Sequence, residues 1–168
     1  MALGLLFLRV VVGSIFAVHG TQKLLGWFKG PGLEGTSGWL GGIGFRAPSL
    51  LAPMVGLCEA SGVLFALGLL TPFAALLMTS AMVVAIGSVH WRNGFFNMSQ
   101  GYEFNLALIA VSVAVAATGP GRLSLDRAIG WDDNLSGAIW GLAVLTLAVL
   151  GGLIVLTLGR STQRAQTA

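Results

Sequence analysis

Charged residues are scarce in this sequence. Asp, Glu, Lys and Arg make up 9% of its 168 residues, whereas a typical soluble domain carries about 25%. So few charges cannot cover a water-facing surface, which excludes an ordinary soluble domain. Hydrophobic residues account for 55% of the chain and the mean hydropathy is +0.87. The composition therefore predicts a protein whose solvent is the lipid bilayer.

Cysteine is nearly absent, since Cys58 stands alone. One thiol cannot form an internal disulfide, which excludes a dithiol relay within the chain. We interpret Cys58 as a small buried hydrophobic residue. The chain also lacks a Walker loop, a GxGxxG between strand and helix, and a CxxCH motif. These absences argue against a soluble nucleotide cofactor and against covalent haem.

Metal ligands and nucleic-acid-binding features are also poorly represented. The chain has two histidines, and no His-x-x-x-His or Glu-x-x-His pair occurs on one predicted helix. We therefore predict no bound metal. The net charge of +3 and the pI near 9.8 come from basic residues that flank apolar segments. That pattern is typical of membrane topology, and we predict no nucleic-acid partner.

Five apolar segments are predicted to cross the membrane as an antiparallel all-α bundle. Their approximate ranges are 3–25, 49–70, 72–91, 102–118 and 136–158. The first carries Arg9 in its middle and is interpreted as a retained span rather than a cleaved signal peptide. The fourth is short for a membrane crossing of about 20 residues. Residues 1–159 form the predicted bundle, and residues 160–168 a polar, disordered tail.

The connections between spans differ in character. Residues 26–47 are rich in glycine, and their stretch 36–45 is predicted to form a short interfacial or re-entrant piece. Thr71 and Pro72 read as an N-cap and first helical residue after a tight hairpin. We call the membrane face that holds residues 26–47 side B, and the opposite face side A.

The basic residues predict the orientation of the bundle. Two of them fall on side A, Arg122 and Arg127. Six fall on side B: Lys23, Lys29, Arg46, Arg92, Arg160 and Arg164. This bias predicts that side B and the C-terminus are cytoplasmic.

Two spans contain a charge in the membrane interior. Such a charge costs at least ~2.5–3.5 kcal/mol unless it is paired or lines a polar cavity. Counted from side A, Arg9 and Glu59 differ in depth by only ~5 Å, so we predict an Arg9–Glu59 ion pair. The pair would either fix helix register or belong to a functional site.

A second polar group converges at side B. The first, third and fourth spans bring His19, Lys23, His90 and Glu103 to this face, and we predict that they form a pocket with acid–base chemistry. The predicted ligand-binding residues around them are Gln22, Trp27, Trp91, Asn97 and Tyr102. The alternative is that each side chain reaches separately to the lipid headgroups.

Several short stretches resemble the DoxX family of small integral membrane proteins. They include Leu8-Arg9, residues 19–28 (HGTQKLLGWF) and residues 30–35 (GPGLEG). Further matches are Glu59, residues 69–71 (LLT), 93–97 (NGFFN), 101–103 (GYE) and 119–126 (GPGRLSLD). Together they cover residues 5–127, and the fifth span looks like an addition to the family's usual four-helix core.

The resemblance implies a redox-linked protein of a bacterial cytoplasmic membrane, related to the membrane subunit of thiosulfate:quinone oxidoreductase. It implies a quinone as the ligand of the side-B pocket, and a soluble redox protein or a further membrane subunit as partner. A non-enzymatic scaffold that recruits a soluble redox partner through residues 26–47 and 92–101 is the alternative. A small transporter is disfavoured, because five spans show no inverted repeat.

Overall fold

A computed structural model describes residues 2–160 of the chain. Within this range eight α-helices are connected by turns and short irregular helices. In chain order they are α1 (Ala2–Leu25), α2 (Gly32–Gly42), α3 (Pro48–Ala60), α4 (Gly62–Leu67), α5 (Thr71–Ala85), α6 (Glu103–Thr118), α7 (Leu125–Ala128) and α8 (Ala138–Leu158).

The helices confirm the predicted all-α membrane bundle. Four helical stretches are long and apolar enough to cross a bilayer: Ala2–Leu25, Pro48–Leu67, Thr71–Asn93 and Ala138–Leu158. Helix α6 is apolar but has only 16 residues, as expected for the short fourth span. Residues 161–168, most of the predicted tail, lie outside the described part of the chain.

Two of the spans are less regular than the hydropathy pattern indicates. The second consists of α3 and α4, joined at Ser61, whose amide donates to Leu57 O at 3.0 Å. The third continues from α5 into a π-helical segment, Ile86–His90, and a 3₁₀ turn, Trp91–Asn93. Hydropathy reports which residues are apolar and carries no information on helical winding, so these changes were not predicted.

Glycines bring α1 against α3 and α4. A Cβ at Gly13 would lie 2.4 Å from Gly62 O, and one at Gly20 would lie 2.3 Å from Ala60 N. No side chain fits in either place, so the two helix backbones are in direct contact, as is common where membrane helices pack through small residues. The contacts also fix the register: residue 20 is level with residue 60, and residue 13 lies against residues 62 and 66.

Helix α5 runs through the core of the bundle and packs against α3, α6 and α8. Its side chains Ala74, Ala75 and Met78 are fully buried. Helix α8 also packs against α6. The C-terminal span is thus integrated into the bundle.

The two faces of the bundle are built differently. On side A the α4–α5 hairpin meets the segment that contains α7. On side B the predicted interfacial piece is α2, which packs on α1 and α3. The amide of Arg46 donates to Gly159 O at 2.9 Å, so the end of α8 lies on the same side as residues 26–47, as the five-span topology predicts.

Candidate functional site

A cavity of about 640 Å³ opens in the side-B half of the bundle. Helices α1, α2, α3, α5, α6 and α8 all contribute residues to its wall. Most of the lining is apolar, including Phe16, Leu40, Met82 and Leu108. Its polar lining residues are His19, Lys23, Cys58, Glu59, Ser80, Ser88, His90, Asn97 and Asn105. The cavity therefore combines an apolar body with a small number of hydrogen-bonding groups, as small-molecule sites do.

An ion pair lies in the cavity wall. Lys23 Nζ donates to Glu59 Oε2, and the two side chains are 20% and 8% exposed. Glu59 therefore pairs with Lys23, and the predicted Arg9–Glu59 pair is wrong. An ammonium group has three hydrogens, so Lys23 can hold Glu59 and also donate to a ligand.

Helix register explains why the predicted pair does not form. The close contacts at Gly13 and Gly20 place Glu59 near the side-B end of α1, level with Lys23. Arg9 is instead level with Gly68, where a Cβ would approach Arg9 Nη1 to 1.8 Å. Glu59 lies nine residues before Gly68 in the chain, which is about 14 Å along a helix axis. Counting depth from approximate span ends could not resolve a shift of this size.

His90 is the last residue of the π-helical segment and lines the cavity. Its Nδ1 lies 2.7 Å from Gln100 O. A carbonyl oxygen can only accept, so this contact requires a proton on Nδ1. Neutral His90 then has an unprotonated Nε2, which is the atom available to gain or lose a proton.

Glu103 lies beside the cavity rather than in its wall. Its Oε2 accepts a hydrogen bond of 3.0 Å from the amide of Asn97, and Asn97 is a lining residue. Of the four residues predicted to form the pocket, the structure brings His19, Lys23 and His90 to one cavity. Glu103 supports the loop that closes it.

Most of the predicted aromatic wall lies outside the cavity. Trp91 stacks on Tyr102 with ring centroids 5.4 Å apart and an interplanar angle of 16°. Trp27 is 58% exposed, and Gln22 Nε2 donates to Phe28 O at 3.5 Å. The rings of Trp91 and Tyr102 thus pack on each other, and such a pair can anchor the bundle at the membrane interface.

Other residues form the aromatic and polar wall instead. The cavity is lined by Trp39 of α2, by Phe45 in the turn after α2 and by Phe104 of α6. Asn105 is buried and its Nδ2 lies 3.3 Å from Met82 Sδ. An amide two residues after Glu103, in an otherwise apolar segment, is the sequence signal for this part of the wall.

Cys58 is partly exposed and belongs to the cavity wall. The structure thus places Cys58 at a partly buried position rather than the fully buried one that was interpreted from the sequence. Its position next to Glu59 on α3 places the thiol where a molecule in the cavity can reach it.

Side A holds a separate charged layer, and the cavity of about 480 Å³ beside it, next to Leu70 and Pro72, has no charged residue among the described ones in its wall. Arg9 and Asp126 are both fully buried. Arg9 Nη2 donates to Leu123 O. The carboxylate of Asp126 interacts electrostatically with the Arg9 guanidinium. Within residues 2–160, Arg9 Nε and Nη1 have no hydrogen-bond partner. The guanidinium is thus held by packing against Gly68 and by one carbonyl.

Asp126 also caps the fifth helix. Its carboxylate accepts from Leu70 N at 2.8 Å, from Thr71 N at 3.0 Å and from Thr71 Oγ1 at 2.7 Å. Thr71 is therefore the first residue of α5 and is itself capped, which corrects its predicted role as the N-cap. Nearby on the surface, a hydrogen bond to Asp132 raises the pKa of Arg127.

Metal-ligating side chains do not cluster within residues 2–160, the range that the structure describes. Between residues 2 and 160, no three His, Cys, Asp or Glu side chains form a group that could hold a metal ion. The polar side chains His19, Lys23, Glu59 and His90 in the cavity wall can form hydrogen bonds, stabilise charge and exchange protons.

Sequence comparison identifies the family of this chain. The DoxX family profile matches residues 4–91, a range that contains Arg9, Lys23, Glu59 and His90. The chain belongs to the DoxX family. No solved structure shows significant similarity to it.

Three curated relatives cover most of this DoxX protein. "Putative oxidoreductase CatD" of Bacillus subtilis is 35% identical over 125 residues, 74% of this chain and 85% of CatD. "Uncharacterized membrane protein Rv3486" of Mycobacterium tuberculosis is 32% identical over 142 residues, 78% of this chain and 84% of Rv3486. "Inner membrane protein YphA" of Escherichia coli is 31% identical over 130 residues, 73% of this chain and 88% of YphA.

Proposed function

We propose that this DoxX protein binds a membrane quinone in the side-B cavity and takes part in its oxidoreduction. The observation that carries the proposal is the cavity itself, in which the Lys23–Glu59 ion pair and His90 face a mostly apolar space. The relative CatD, whose name describes an oxidoreductase, supports the reaction class.

The size and lining of the cavity suit a quinone. Ligand sites commonly measure about 300–1,000 Å³, and this cavity measures about 640 Å³. Phe16, Leu40 and Leu108 supply the apolar surface that an isoprenoid tail requires. The ring needs hydrogen-bond donors at its carbonyl oxygens, and Lys23 and Asn105 are donors in the wall.

The polar residues divide into two roles. Reduction of a bound quinone to its quinol takes up two electrons and two protons. Lys23 binds and stabilises negative charge at an oxygen, with Glu59 holding its ammonium group in place. His90 exchanges a proton through Nε2, since Nδ1 is committed to Gln100 O. His19, which is exposed and lines the same cavity, connects it to water.

The electrons come from a separate protein in this proposal. Cys58 is the only cysteine in the chain, so a dithiol within this protein cannot deliver them. A soluble reduced partner, or a further membrane subunit, would dock on side B, where the cavity lies.

Quinone retention tests the proposal. We expect the protein purified in mild detergent to carry extractable quinone, and His90→Ala and Lys23→Met to lower the quinone content at least about fivefold, because each removes one contact of roughly 1 kcal/mol or more. Trp91→Ala is the matched control, since Trp91 is adjacent to His90 but 66% exposed. Wild-type protein without quinone, and without binding of an added quinone analogue, would reject the proposal.

A scaffold that recruits a soluble redox partner is the second candidate. The observation that favours it is the loop after the π-helical segment, in which Trp91, Phe96 and Met98 are 66%, 68% and 101% exposed. A stoichiometric soluble partner that co-purifies without quinone, and is lost in Phe96→Ser, would favour this function over the first.

The proposed location is the cytoplasmic membrane of a bacterium, with side B and the C-terminus inside. The name of YphA as an inner membrane protein and the excess of basic residues on side B support it. Reporter fusions after residue 168 test the orientation, and a reporter active only outside the cytoplasm would overturn it.

A further inference from the structure

The end of the C-terminal span contacts the segment that carries His90. Arg160 Nη1 lies 3.4 Å from Gly87 O, and Nη2 lies 3.1 Å from Ser88 O. Arg160 was assigned to the polar tail by its sequence, yet it is bonded to the cavity wall. Its planar guanidinium can reach two successive carbonyls at once, which an ammonium group cannot do in the same geometry.

These two carbonyls lie where the helix changes its winding. The amide of Trp91 donates to Ile86 O, five residues earlier, and a 3₁₀ turn follows. Such π-helical segments interrupt the regular hydrogen-bond ladder and are found mostly at functional sites. A cationic donor at this point stabilises the winding that brings Ser88 and His90 into the cavity wall.

Arg160 also contacts Phe45, in another part of the cavity wall. Its guanidinium carbon lies 5.9 Å from the centre of the Phe45 ring, and the two residues form an isolated antiparallel bridge. Phe45 is buried and lines the cavity after α2. One side chain thus joins the Phe45 wall to the His90 wall.

Close packing shows that α8 fits this segment specifically. A Cβ at Gly87 would lie 2.3 Å from Leu156 Cδ1, and one at Gly152 would lie 2.5 Å from Val83 Cγ1. Gly152 and Val155 also line the cavity. The C-terminal span is therefore a structural part of the cavity, although it lies outside the matched range 4–91.

We infer that Arg160 is a positioning residue that closes the side-B cavity, by holding the π-helical segment with His90 against α8 and against Phe45. This inference rests on the proposed function, because it makes the C-terminal span part of the quinone site. The contacts that carry it do not depend on the identity of the ligand.

Cys58 provides a readout that is independent of any activity. The only thiol of the chain lies in the cavity wall, so its rate of alkylation by N-ethylmaleimide reports how open the cavity is. We expect Arg160→Gln to raise this rate about tenfold. Loss of the hydrogen bonds from the charged guanidinium would shift the equilibrium between the closed and the open cavity toward the open form by about that factor. Quinone content should fall in parallel. A Cys58→Ala variant establishes that the label is on this residue.

Two further variants separate positioning from a loss of charge or folding. Arg46→Gln removes the same charge one residue from Phe45 and should leave the labelling rate unchanged. Arg160→Lys keeps the charge but not the two-carbonyl contact, and should restore only part of the closure. If Arg160→Gln is not recovered from membranes, Phe45→Leu tests the same junction from its other side and should raise the rate by a smaller factor.

The outcomes also distinguish this inference from the proposed function. Faster labelling of Arg160→Gln in a protein that never binds quinone supports the positioning role and rejects the quinone. Quinone bound by the wild type, with labelling and quinone content both unchanged in Arg160→Gln, rejects the positioning role alone. Equal acceleration by Arg46→Gln would also overturn it.

Discussion

The two ends of the bundle hold buried charges in opposite ways. On side A, Arg9 and Asp126 are fully buried and Gly68 lies directly against the guanidinium. On side B, Lys23 and Glu59 line about 640 Å³ of space, together with His19 and His90. Both ends pay the desolvation of ionic groups. The side-B charges line their cavity, whereas the side-A cavity of about 480 Å³ has no charged residue in its wall within the described part of the chain.

This difference distinguishes buried charges with a structural role from buried charges with a functional one. A charge that is packed on all sides can only fix geometry, and Asp126 does so by capping α5 and by facing Arg9. A charge at the wall of a cavity keeps donors and acceptors available to a ligand. Sequence position did not distinguish the two cases, because Arg9 and Lys23 lie on the same helix and both sit in family motifs.

The largest expected effect is the loss of the side-A carboxylate. Asp126→Ala leaves Leu70 N, Thr71 N and the Thr71 hydroxyl without their acceptor, and leaves Arg9 without its counter-charge. We expect a loss of about 3–5 kcal/mol in the free energy of unfolding, because three donors lose their hydrogen bonds to a buried carboxylate. Thermal unfolding in detergent measures it. Asp132→Asn removes only the exposed bond to Arg127 and should unfold like the wild type, and equal stability of the two variants would contradict the account of side A.

The next effect comes from the glycine that faces Arg9. Gly68 has a φ of +64°, and a Cβ there would lie 1.8 Å from Arg9 Nη1. Gly68→Ala should therefore cost more than the roughly 1–2 kcal/mol of a left-handed alanine alone. Gly130→Ala is the control, because Gly130 has a φ of +79° and open space around its Cα. Equal destabilisation of the two variants would show that the guanidinium moves aside freely.

Coupling between charges tests the ion-pair assignment on side B. We expect Lys23→Gln and Glu59→Gln to be coupled by roughly 1–3 kcal/mol in a double-mutant cycle of unfolding free energies, because they are in direct contact. The pair Arg9→Gln and Glu59→Gln should be additive, since they are about 14 Å apart along the bundle. Strong coupling of Arg9 to Glu59 would restore the pairing that the sequence predicted.

The smallest effect is expected at Glu103. The amide of Glu103→Gln retains an oxygen that can accept from Asn97 N, so stability should change by less than about 0.5 kcal/mol. Quinone content should fall less than in His90→Ala, because Glu103 acts on the cavity only through Asn97. A greater loss than in His90→Ala would place Glu103 in direct contact with the ligand.

Composition and hydropathy alone determined the class of this protein. So few charges exclude a soluble domain, and the apolar segments with their glycines and prolines predict the order and approximate positions of the apolar helical segments. The alternation of spans also predicts which ends meet, and so His19, Lys23 and His90 could be assigned to one cavity from the sequence. These inferences depend on whether each segment favours lipid or water, and on the alternating direction of consecutive spans. Both can be read from the local sequence.

Tertiary structure decided which charges are partners and which side chains face the cavity. The Lys23–Glu59 pair depends on a helix register that is set by contacts of Gly13 and Gly20 with backbone atoms of another helix. Asp126 caps a helix 55 residues earlier in the chain, and Arg160 reaches carbonyls 72 and 73 residues earlier. Such contacts depend on distances between segments that are remote in sequence, and no local pattern encodes them.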